Sequence, residues 1–299
     1  MSHSPAPSPK SSSDTADGEK WMCERYESRG CILQYNMELL LGDCLTLLRE
    51  RPDASVDLVI TSPPYADMKT YVDDHGVHPD QYVDWFLPIV KELERVLKPT
   101  GSFILNINDK VVDGFRHPYV FDLVSRIHRE TGFKMFERLF WNKMKGLSHP
   151  KRFGDRVEFL FWFVKGKGFT LDLNPMRTPY AEVSIQRMKN PIISRFNRES
   201  EGEVRVKKEW KPHPDGALPT TLVSVGSQAT RVHDAHVAVF PEKLVEGFIR
   251  SASKEGDLVL DPFMGTGTTG VVALRHGRRF LGMEKQPVYL EAARTRLTH

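Results

Sequence analysis

Four residues in this sequence have the types and the spacing to bind and orient a planar amine: Ser62, Pro63, Pro64 and Tyr65. They follow a β-branched run, residues 56–60, that predicts a buried strand, and the end of such a strand is where open α/β sheets bind ligands. Two consecutive prolines remove two N–H donors and stiffen the turn, so carbonyl oxygens, a hydroxyl and an aromatic ring remain for a ligand. Acceptors that hold both N–H bonds of an exocyclic amine would direct its delocalised lone pair at an electrophile. The alternative is an ordinary Ser-Pro-Pro turn with a packed tyrosine.

A glycine-rich loop near the C-terminus predicts a second ligand site. Residues 257–270 read DLVLDPFMGTGTTG, which predicts a buried strand, a loop and the start of a helix. Glycines let the backbone approach a ligand closely, and the free N–H groups at a helix start favour anionic groups. The spacing of Gly265, Gly267 and Gly270, with Glu284 placed to hold a ribose diol, matches the dinucleotide fingerprint. A nicotinamide-dependent enzyme and a loop that serves only packing are both open at this point, whereas a Walker loop is excluded because its Lys-Ser/Thr ending is absent.

The elements that would position both loops alternate between strands and helices. Apolar runs predict strands at residues 37–41, 56–60, 102–107, 133–141, 157–164, 257–260 and 279–283. Helical periodicity predicts helices at residues 45–49, 82–97, 119–130 and 241–251, after Gly267 and at the C-terminus, with a kink or a late start at Pro88. This alternation predicts an α/β fold with a mostly parallel, doubly wound sheet. The rhythm breaks between about residues 166 and 234, which indicates an inserted region.

Composition excludes several classes of protein. The chain of 299 residues carries 42 Lys and Arg against 39 Asp and Glu, and a net charge of +3 does not by itself indicate a nucleic-acid partner. No apolar run approaches the roughly 18 residues of a membrane span, and we expect no signal peptide. Three cysteines without histidines at zinc spacing predict neither a disulfide framework nor a metal site, and they favour the cytoplasm. Residues 1–25 are expected to form a disordered tail, because residues 1–20 contain no large apolar side chain except Met1.

Taken together, the two loops resemble a known family. The pairing of TSPPY with DPFMGTGTT is similar to the S-adenosylmethionine-dependent amino-methyltransferases of DNA in their permuted β-class order. Further matches lie at Gly42-Asp43 and in residues 95–107, 156–165 and 236–241, so the resemblance spans about residues 37–297 apart from the middle insertion. It implies a circularly permuted, Rossmann-like methyltransferase fold. The parts would be a catalytic half at residues 26–165, a target-recognition region at 166–235 and a cofactor-binding half at 236–299.

The resemblance also implies roles for individual residues. Ser62 and the Pro63 carbonyl would accept hydrogen bonds from the target amine, and Pro64 would hold the turn. Tyr65 would stack on the base, and Asp109 would relay the departing proton. The site for S-adenosylmethionine would comprise Asp43, Phe240, Asp261, Pro262, Phe263, Gly265, Gly267, Thr268 and Glu284. Asp43 is equally suited to capping the helix that follows it, and Asp109 to capping a turn.

The implied reaction is in-line transfer of a methyl group from S-adenosylmethionine to the exocyclic amine of a base flipped out of duplex DNA. Within the family, serine before the proline pair is associated with the N4 amine of cytosine and aspartate with adenine, so we expect a cytosine-N4-specific DNA-methyltransferase. N6-adenine methylation is the first alternative, followed by an RNA or protein amino-methyltransferase, a nicotinamide-dependent oxidoreductase and a catalytically silent DNA-binding module. Methylation at carbon 5 of cytosine needs a cysteine after a proline, and Cys23, Cys31 and Cys44 all follow other residues.

Basic residues are concentrated beside the predicted catalytic half. Residues 141–167 contain seven Lys and Arg against two Asp and Glu, a local charge of +5 that the total conceals. We predict that the basic side chains of residues 166–235 read base edges. The predicted contacts to DNA phosphates are Lys143, Lys145, Lys151 and Arg152. The expected partner is duplex DNA and no membrane, while a homodimer and a cognate restriction endonuclease are left open.

Overall fold

The computed structural model describes residues 32–34, 36–66, 76–144, 150–188, 212–232 and 235–298. The tail predicted at residues 1–25 and the basic residue Lys145 lie outside these ranges. The strands are β1 (Ile32–Gln34), β2 (Met37–Leu41), β3 (Val56–Thr61), β4 (Leu97–Ile107), β5 (Lys110–Val112), β6 (Phe115–His117), β7 (Lys134–Asn142), β8 (Val157–Val164), β9 (Leu222–Ser224), β10 (Gln228–Val232), β11 (Ala235–Val239), β12 (Leu258–Asp261) and β13 (Arg279–Glu284). The helices are α1 (Cys44–Arg49), α2 (Pro79–Val96), α3 (Tyr119–Glu130), α4 (Glu182–Met188), α5 (Glu242–Ala252), α6 (Thr268–Arg275) and α7 (Pro287–Thr298).

The predicted elements are confirmed to within a residue at each end, except for β4 and α2. Helix α2 begins at Pro79, which occupies its first turn, and the His78 ring caps it by accepting a hydrogen bond from the Asp80 N–H at 3.3 Å. The helix continues through Pro88 to Val96, so a late start at Pro88 is excluded. Pro88 lies on the exposed side of α2, where water can bind the carbonyl that lacks a helical partner.

The main sheet has nine strands, in the order β1-β2-β13-β12-β3-β4-β8-β7-β9, so that strands from the N-terminal and C-terminal parts of the described chain are neighbours. The central strands β2, β13, β12, β3 and β4 are parallel to one another, whereas β1 is antiparallel to β2 and β8 is antiparallel to both β4 and β7. The C-terminal strands β12 and β13 lie between β2 and β3, which are consecutive in the sequence. This arrangement confirms a mostly parallel α/β sheet, and its strand order is that of a permuted chain.

Helices cover both faces of the sheet. Successive side chains of a strand point to opposite faces, so a strand that is apolar throughout needs a core on each face. On β3, Val59 packs into a core formed with α1, α2 and α3, whereas Leu58 and Ile60 pack into a core formed with α5, α6 and α7. All three side chains are completely buried. The sheet is therefore doubly wound, and the ends of its central strands remain for a site.

The segment predicted as an insertion contributes to the edge of this sheet. Strand β9 pairs in parallel with β7, and a bridge between Thr178 and Ala217 joins two parts of the segment.

None of the helices described has the length and apolar content needed to cross a bilayer. Among the residues placed by the structure, no group of three metal-ligating side chains comes together.

Gly270, on the first turn of α6, tests how closely this helix must approach β13. A Cβ added at Gly270 would lie 2.5 Å from Cε1 of Phe280 and 2.8 Å from Cδ2 of Leu297. The Phe280 ring is fully buried and has no room to move. Alanine favours a helix over glycine by about 1 kcal/mol, but overpacking costs about 1–3 kcal/mol. We therefore expect Gly270→Ala to lower the free energy of unfolding by about 1 kcal/mol, measured by urea denaturation.

Gly166→Ala is the matched control, because no atom lies within 4 Å of its added Cβ. An equal loss of stability in both variants would contradict the packing explanation.

Candidate active site

The carboxyl ends of β2, β13, β12 and β3 border a cavity of about 250 Å³. It lies where strands from the two ends of the chain meet, which is the position at which open α/β sheets bind ligands. Eight of the predicted site residues reach its wall: Asp43, Ser62, Pro64, Tyr65, Pro262, Phe263, Gly265 and Glu284. Residues that the sequence did not assign to the site complete the wall: Gly42, Cys44, Gly76, Val77, Trp85, Met283, Lys285 and Gln286.

Glu284, the last residue of β13, accepts hydrogen bonds from three segments of the chain at this cavity. Its Oε2 accepts a hydrogen bond from the Gly265 N–H at 3.0 Å, and its Oε1 accepts one from the Gln286 N–H at 2.8 Å. Its carbonyl oxygen accepts a third from the Gly42 N–H at 2.9 Å. Burial raises the pKa of Glu284, and hydrogen bonds from the backbone of Gln286, Gly265 and Lys285 partly oppose that rise. Each carboxylate oxygen retains acceptor capacity for a ligand hydroxyl.

Asp43 occupies the cavity wall and also caps the helix that follows it. It lines the cavity, and its Oδ1 also accepts a hydrogen bond from the Thr46 N–H at 3.0 Å, which caps α1. Helix capping therefore fixes the orientation of this carboxylate at the cavity wall.

The Asp261 carboxylate lies behind the cavity rather than on its wall. Its Oδ1 accepts hydrogen bonds from the Thr61 hydroxyl at 2.7 Å and the Phe263 N–H at 3.1 Å, and its Oδ2 accepts one from the Thr269 hydroxyl at 2.7 Å. Burial raises the pKa of Asp261 to about 6, although these three hydrogen bonds act in the opposite direction. Asp261 thus joins the ends of β3 and β12 to the start of α6.

Four other predicted site residues also lie away from the cavity wall. Pro63 is buried within the turn. The Cβ position of Gly267 would lie 3.1 Å from Cβ of Ala293, and the Thr268 hydroxyl accepts a hydrogen bond from Arg296 at 3.2 Å, so both residues face α7. The Phe240 ring packs beside Trp141, with 6.4 Å between ring centroids.

Hydroxyl groups of the proline turn meet polar side chains from two neighbouring strands. The Ser62 hydroxyl donates to Oδ1 of Asn106 at 3.1 Å, and the Tyr65 hydroxyl lies 2.9 Å from the same oxygen. The Tyr65 hydroxyl also donates to Oε2 of Glu158 at 2.6 Å. The Tyr82 hydroxyl of α2 also fixes the turn, because it donates a hydrogen bond to the Pro64 carbonyl at 3.0 Å. The turn is therefore fixed by hydrogen bonds from three separate elements.

Sequence reasoning missed Asn106, Glu158 and Tyr82. A signal existed for the first two, because each is a polar residue within a mostly apolar strand, in SFILNI and VEFLFWFV. Burying such a group is costly unless it has a partner, which makes it a candidate for a role in a site. No comparable signal marked Tyr82, whose position on an apolar helix face is typical of core residues.

The phenol of Tyr65 stays protonated at neutral pH. Burial raises the pKa of Tyr65 well above its ordinary value, and the nearby charge of Glu158 raises it further. Tyr65 therefore enters its hydrogen bonds as a neutral donor.

Asp109 is not brought to the turn. Its carboxylate pairs with the Arg116 guanidinium, which also lies 3.5 Å from Oδ2 of Asp155. Burial raises the pKa of Asp109, and the charge of Arg116 opposes that rise. The predicted proton relay through Asp109 finds no contact to Ser62 or Tyr65 among the described interactions.

The arrangement of this site has counterparts among known proteins. A family model described as DNA methylase matches residues 56–295, which include the proline turn, the glycine loop and Glu284. The chain belongs to the DNA methylase family. Its similarity to curated members extends over most of its length: it is 30% identical to the type II methyltransferase M.PvuII of Proteus hauseri, over 86% of this chain and 82% of that protein. It is also 30% identical to M.BglII of Bacillus subtilis, over 87% of this chain and 68% of that protein.

Solved structures resemble the methylase as well. The PvuII DNA methyltransferase, named as cytosine-N4-specific, aligns with a TM-score of 0.67 and 28% identity, over 88% of this chain and 86% of that one. A DNA modification methylase named as putative from Thermus thermophilus, complexed with S-adenosyl-L-methionine, aligns with a TM-score of 0.57 and 26% identity, over 87% of this chain and 94% of that one.

The predicted DNA-contacting residues of the methylase fall into two places. Lys143 lies within the active-site region, where its ammonium donates to Oε1 of Glu158 at 3.1 Å. Lys151 and Arg152 line a separate, open concavity of about 520 Å³ together with Arg116 and Phe153.

Asp261 gives the methylase a pH dependence of stability that can be isolated. Because burial raises the pKa of Asp261 from 3.8 to about 6, the folded protein keeps a proton between these values that the unfolded chain has released. The contribution of Asp261 to stability therefore falls as pH rises through this window, and the cost is complete above it. We expect the free energy of unfolding of the wild type, relative to Asp261→Asn, to fall by on the order of 2–3 kcal/mol from pH 4 to pH 7.

Urea denaturation of both proteins at several pH values measures this difference, and the other titrating groups cancel in the subtraction. A difference that stays constant between pH 4 and pH 7 would contradict the role of Asp261.

Proposed function

We propose that the methylase transfers a methyl group from S-adenosylmethionine to the N4 amine of a cytosine that is flipped out of duplex DNA. The observation that carries the proposal is that Ser62, Pro64 and Tyr65 line the same cavity as Gly265 and Glu284. An amine bound at the turn would then lie beside a cofactor bound at the glycine loop. Positioning of this kind converts a reaction between two molecules into one within a single complex.

The cavity wall suits the nucleoside part of S-adenosylmethionine. The Glu284 carboxylate lines the cavity, where its two oxygens would accept hydrogen bonds from the two hydroxyls of a ribose. Gly265 has a positive φ of 52°, and a Cβ there would meet no atom within 4 Å, so the loop leaves open space beside it. The side chains of Val77, Trp85 and Phe263 supply apolar surface. When bound, S-adenosylmethionine supplies an electrophilic methyl group on a sulfonium.

The proline turn suits an exocyclic amine. The Ser62 hydroxyl gives its hydrogen to Asn106 at 3.1 Å, so its lone pairs are free to accept from an amine. With the Pro63 carbonyl as second acceptor, both N–H bonds would be held and the nitrogen lone pair would face the methyl group. The Tyr65 ring would replace the stacking that the base loses when it leaves the duplex. Acceptor placement of this kind stabilises positive charge as it develops on the nitrogen.

Cytosine is the proposed target because of two observations. Serine occupies the first position of the turn, and the methylase is similar to an enzyme named as cytosine-N4-specific along most of both chains. The relatives are named type II methyltransferases, so a cognate restriction endonuclease belongs to the same proposal, as does a cytoplasmic location. The homodimer is a separate proposal, which the molecular mass in solution tests.

Product analysis tests the proposal directly. Duplex DNA treated with the methylase and S-adenosylmethionine, then digested to nucleosides, is expected to contain N4-methyldeoxycytidine by mass spectrometry. Ser62→Ala and Tyr65→Ala are each expected to lower the methylation rate by about 10²-fold or more, because each removes a group that binds the reacting base. Binding of S-adenosylmethionine to both variants should remain within about twofold of the wild type.

Ser55→Ala is the matched control, because the Ser55 hydroxyl donates to the Pro52 carbonyl before β3 and away from the cavity. N6-methyldeoxyadenosine as the product would overturn the cytosine assignment, and normal rates in both site variants would overturn the role of the turn.

The concavity formed by Arg116, Lys151, Arg152 and Phe153 is proposed to bind the DNA backbone. Three cations surround it, and the Phe153 side chain is 99% exposed beside them. Because each phosphate contact releases a bound counterion, we expect Lys151→Ala to weaken DNA binding at every sequence and to reduce the slope of log K against log salt by about 1. Fluorescence anisotropy at several salt concentrations measures this slope.

Lys254→Ala is the control for the salt measurement, because Lys254 precedes β12 at the amino ends of the central strands and does not line the concavity. Equal slopes for Lys151→Ala and the wild type would remove Lys151 from the DNA interface.

A further inference from the structure

We propose that Glu158 is the final acceptor of the proton that the target amine releases, and that the proton reaches it through the hydroxyls of Ser62 and Tyr65. The inference rests on the proposed function and adds to it a residue that lies outside the cavity wall. Because Glu158 acts through Tyr65, it is a positioning residue and not one that touches the substrate.

A continuous row of oxygens joins the proline turn to this carboxylate. The hydroxyl oxygens of Ser62 and Tyr65 are 3.3 Å apart, and the Tyr65 hydroxyl is 2.6 Å from Oε2 of Glu158. The second contact has the short length of a hydrogen bond to a charged acceptor. The Ser62 hydroxyl can turn its hydrogen toward either Tyr65 or Asn106, so a rotation of one bond completes the row.

Asn106 orients these hydroxyls and does not take up the proton. Its amide nitrogen donates to the Phe159 carbonyl at 3.1 Å, which fixes its Oδ1 toward Ser62 and Tyr65. A neutral amide oxygen accepts hydrogen bonds but is far too weak a base to hold a proton near neutral pH. Glu158 is consequently the carboxylate in contact with the hydroxyls of the turn, whereas Asp109 is paired with Arg116.

Burial and charge make Glu158 unusual as a purely structural residue. It is 9% exposed in a strand whose other members are mostly large and apolar. Lys143 donates to its second oxygen, Oε1, at 3.1 Å and compensates part of the cost of burying the charge. A buried ion pair is often no more stable than apolar side chains of the same volume. Its place at the end of a hydroxyl row in the candidate active site therefore favours a role in the reaction.

The proton transfer balances within this chain of groups. As the amine nitrogen gains a methyl group it becomes cationic, one N–H bond breaks, and its electron pair returns to the nitrogen. The proton joins Ser62 Oγ, the Ser62 hydrogen passes to the Tyr65 oxygen, and the Tyr65 hydrogen passes to Oε2 of Glu158. Ser62 and Tyr65 end as neutral hydroxyls, and Glu158 ends as a carboxylic acid. The raised pKa of Tyr65 suits this role, because a neutral phenol can pass a hydrogen without storing a negative charge.

Two nearly isosteric variants test the relay. Glu158→Gln keeps an acceptor for Tyr65 but cannot take up the proton, and Tyr65→Phe keeps the aromatic ring but breaks the row. The measurement is the single-turnover rate of DNA methylation at saturating S-adenosylmethionine and duplex DNA. Each variant is expected to be slower by about 10²-fold, which is typical for loss of a proton-transfer group. The double variant should be no slower than the slower single variant, because both remove one pathway.

The division of the effect between rate and binding separates proton transfer from a merely structural role. The groups described in contact with the Glu158 carboxylate are the Tyr65 phenol and the Lys143 ammonium. In Glu158→Gln the single-turnover rate should fall while binding of both substrates is retained. The KM for DNA and the Kd for S-adenosylmethionine should stay within about twofold of the wild type. Glu38→Gln is the matched control, because Glu38 forms a half-buried ion pair with Arg51 and does not line the cavity.

Three results would overturn the relay: a wild-type rate in Glu158→Gln, a loss in that variant that lies in the KM or the Kd and not in the rate, or multiplied losses in the double variant. Each of them leaves the proposed function intact if the wild type still produces N4-methyldeoxycytidine. A wild type that transfers no methyl group to DNA overturns the proposed function and the relay together.

Discussion

The hydrogen bond from the Thr61 hydroxyl to the Asp261 carboxylate, 2.7 Å long, joins the ends of two strands, β3 and β12, at residues 200 positions apart in the chain. At the other end of the same pair of strands, Oδ2 of Asp57 accepts a hydrogen bond from the Leu258 N–H at 2.9 Å. These contacts close both ends of the seam between β3 and β12. The cavity exists only because this seam brings the proline turn of one strand beside the glycine loop of the other. Asp261 is costly to bury, and its three donors offset part of that cost.

Helix α2 acts on both sides of the seam. The Tyr82 hydroxyl holds the Pro64 carbonyl of the turn, while the Trp85 ring contacts the Phe263 ring of the glycine loop, with 5.9 Å between centroids. Phe86 contacts the same Phe263 ring at 6.1 Å. One turn of a single helix therefore sets the spacing between the part of the site proposed to hold the base and the part proposed to hold the cofactor. Rigid support of this kind is what catalysis by positioning requires.

Three carboxylates surround the site with different partners: those of Asp261 and Glu158, which are buried, and that of Glu284, which is partly buried. The first is satisfied by hydroxyls and a backbone N–H, the second by backbone N–H groups, and the third by a phenol and an ammonium. The chemistry of these hydrogen-bond partners gives each carboxylate a different role. Asp261 is enclosed and joins elements, Glu284 keeps acceptor capacity toward the cavity, and Glu158 ends a row of exchangeable hydrogens. Burial makes each of them sensitive to the loss of a partner, because an unpaired charge in the interior is strongly destabilising.

Periodicity and turn chemistry in the sequence determined most of the elements and both loops. Apolar runs of strand length and helices of 3.6-residue period depend on local pattern, so β8 and α3 were predicted to the residue. The start of α2 was missed because the apolar pattern does not show that His78 caps the helix. It also does not show that Pro88 lies on the exposed side of the helix, where a proline is tolerated. Asn106 and Glu158 were missed because nothing local tells a polar residue in an apolar strand which side chain it will meet. Tertiary structure alone decided that Asp109 pairs with Arg116, that Asp261 lies behind the cavity, and that Glu158 meets Tyr65. The physical reason is that the Thr61–Asp261 and Tyr65–Glu158 contacts join residues 200 and 93 positions apart, which only the packing of the sheet brings within hydrogen-bond distance. Asp109 meets Arg116 beside the β5–β6 hairpin, whose pairing the sequence did not predict.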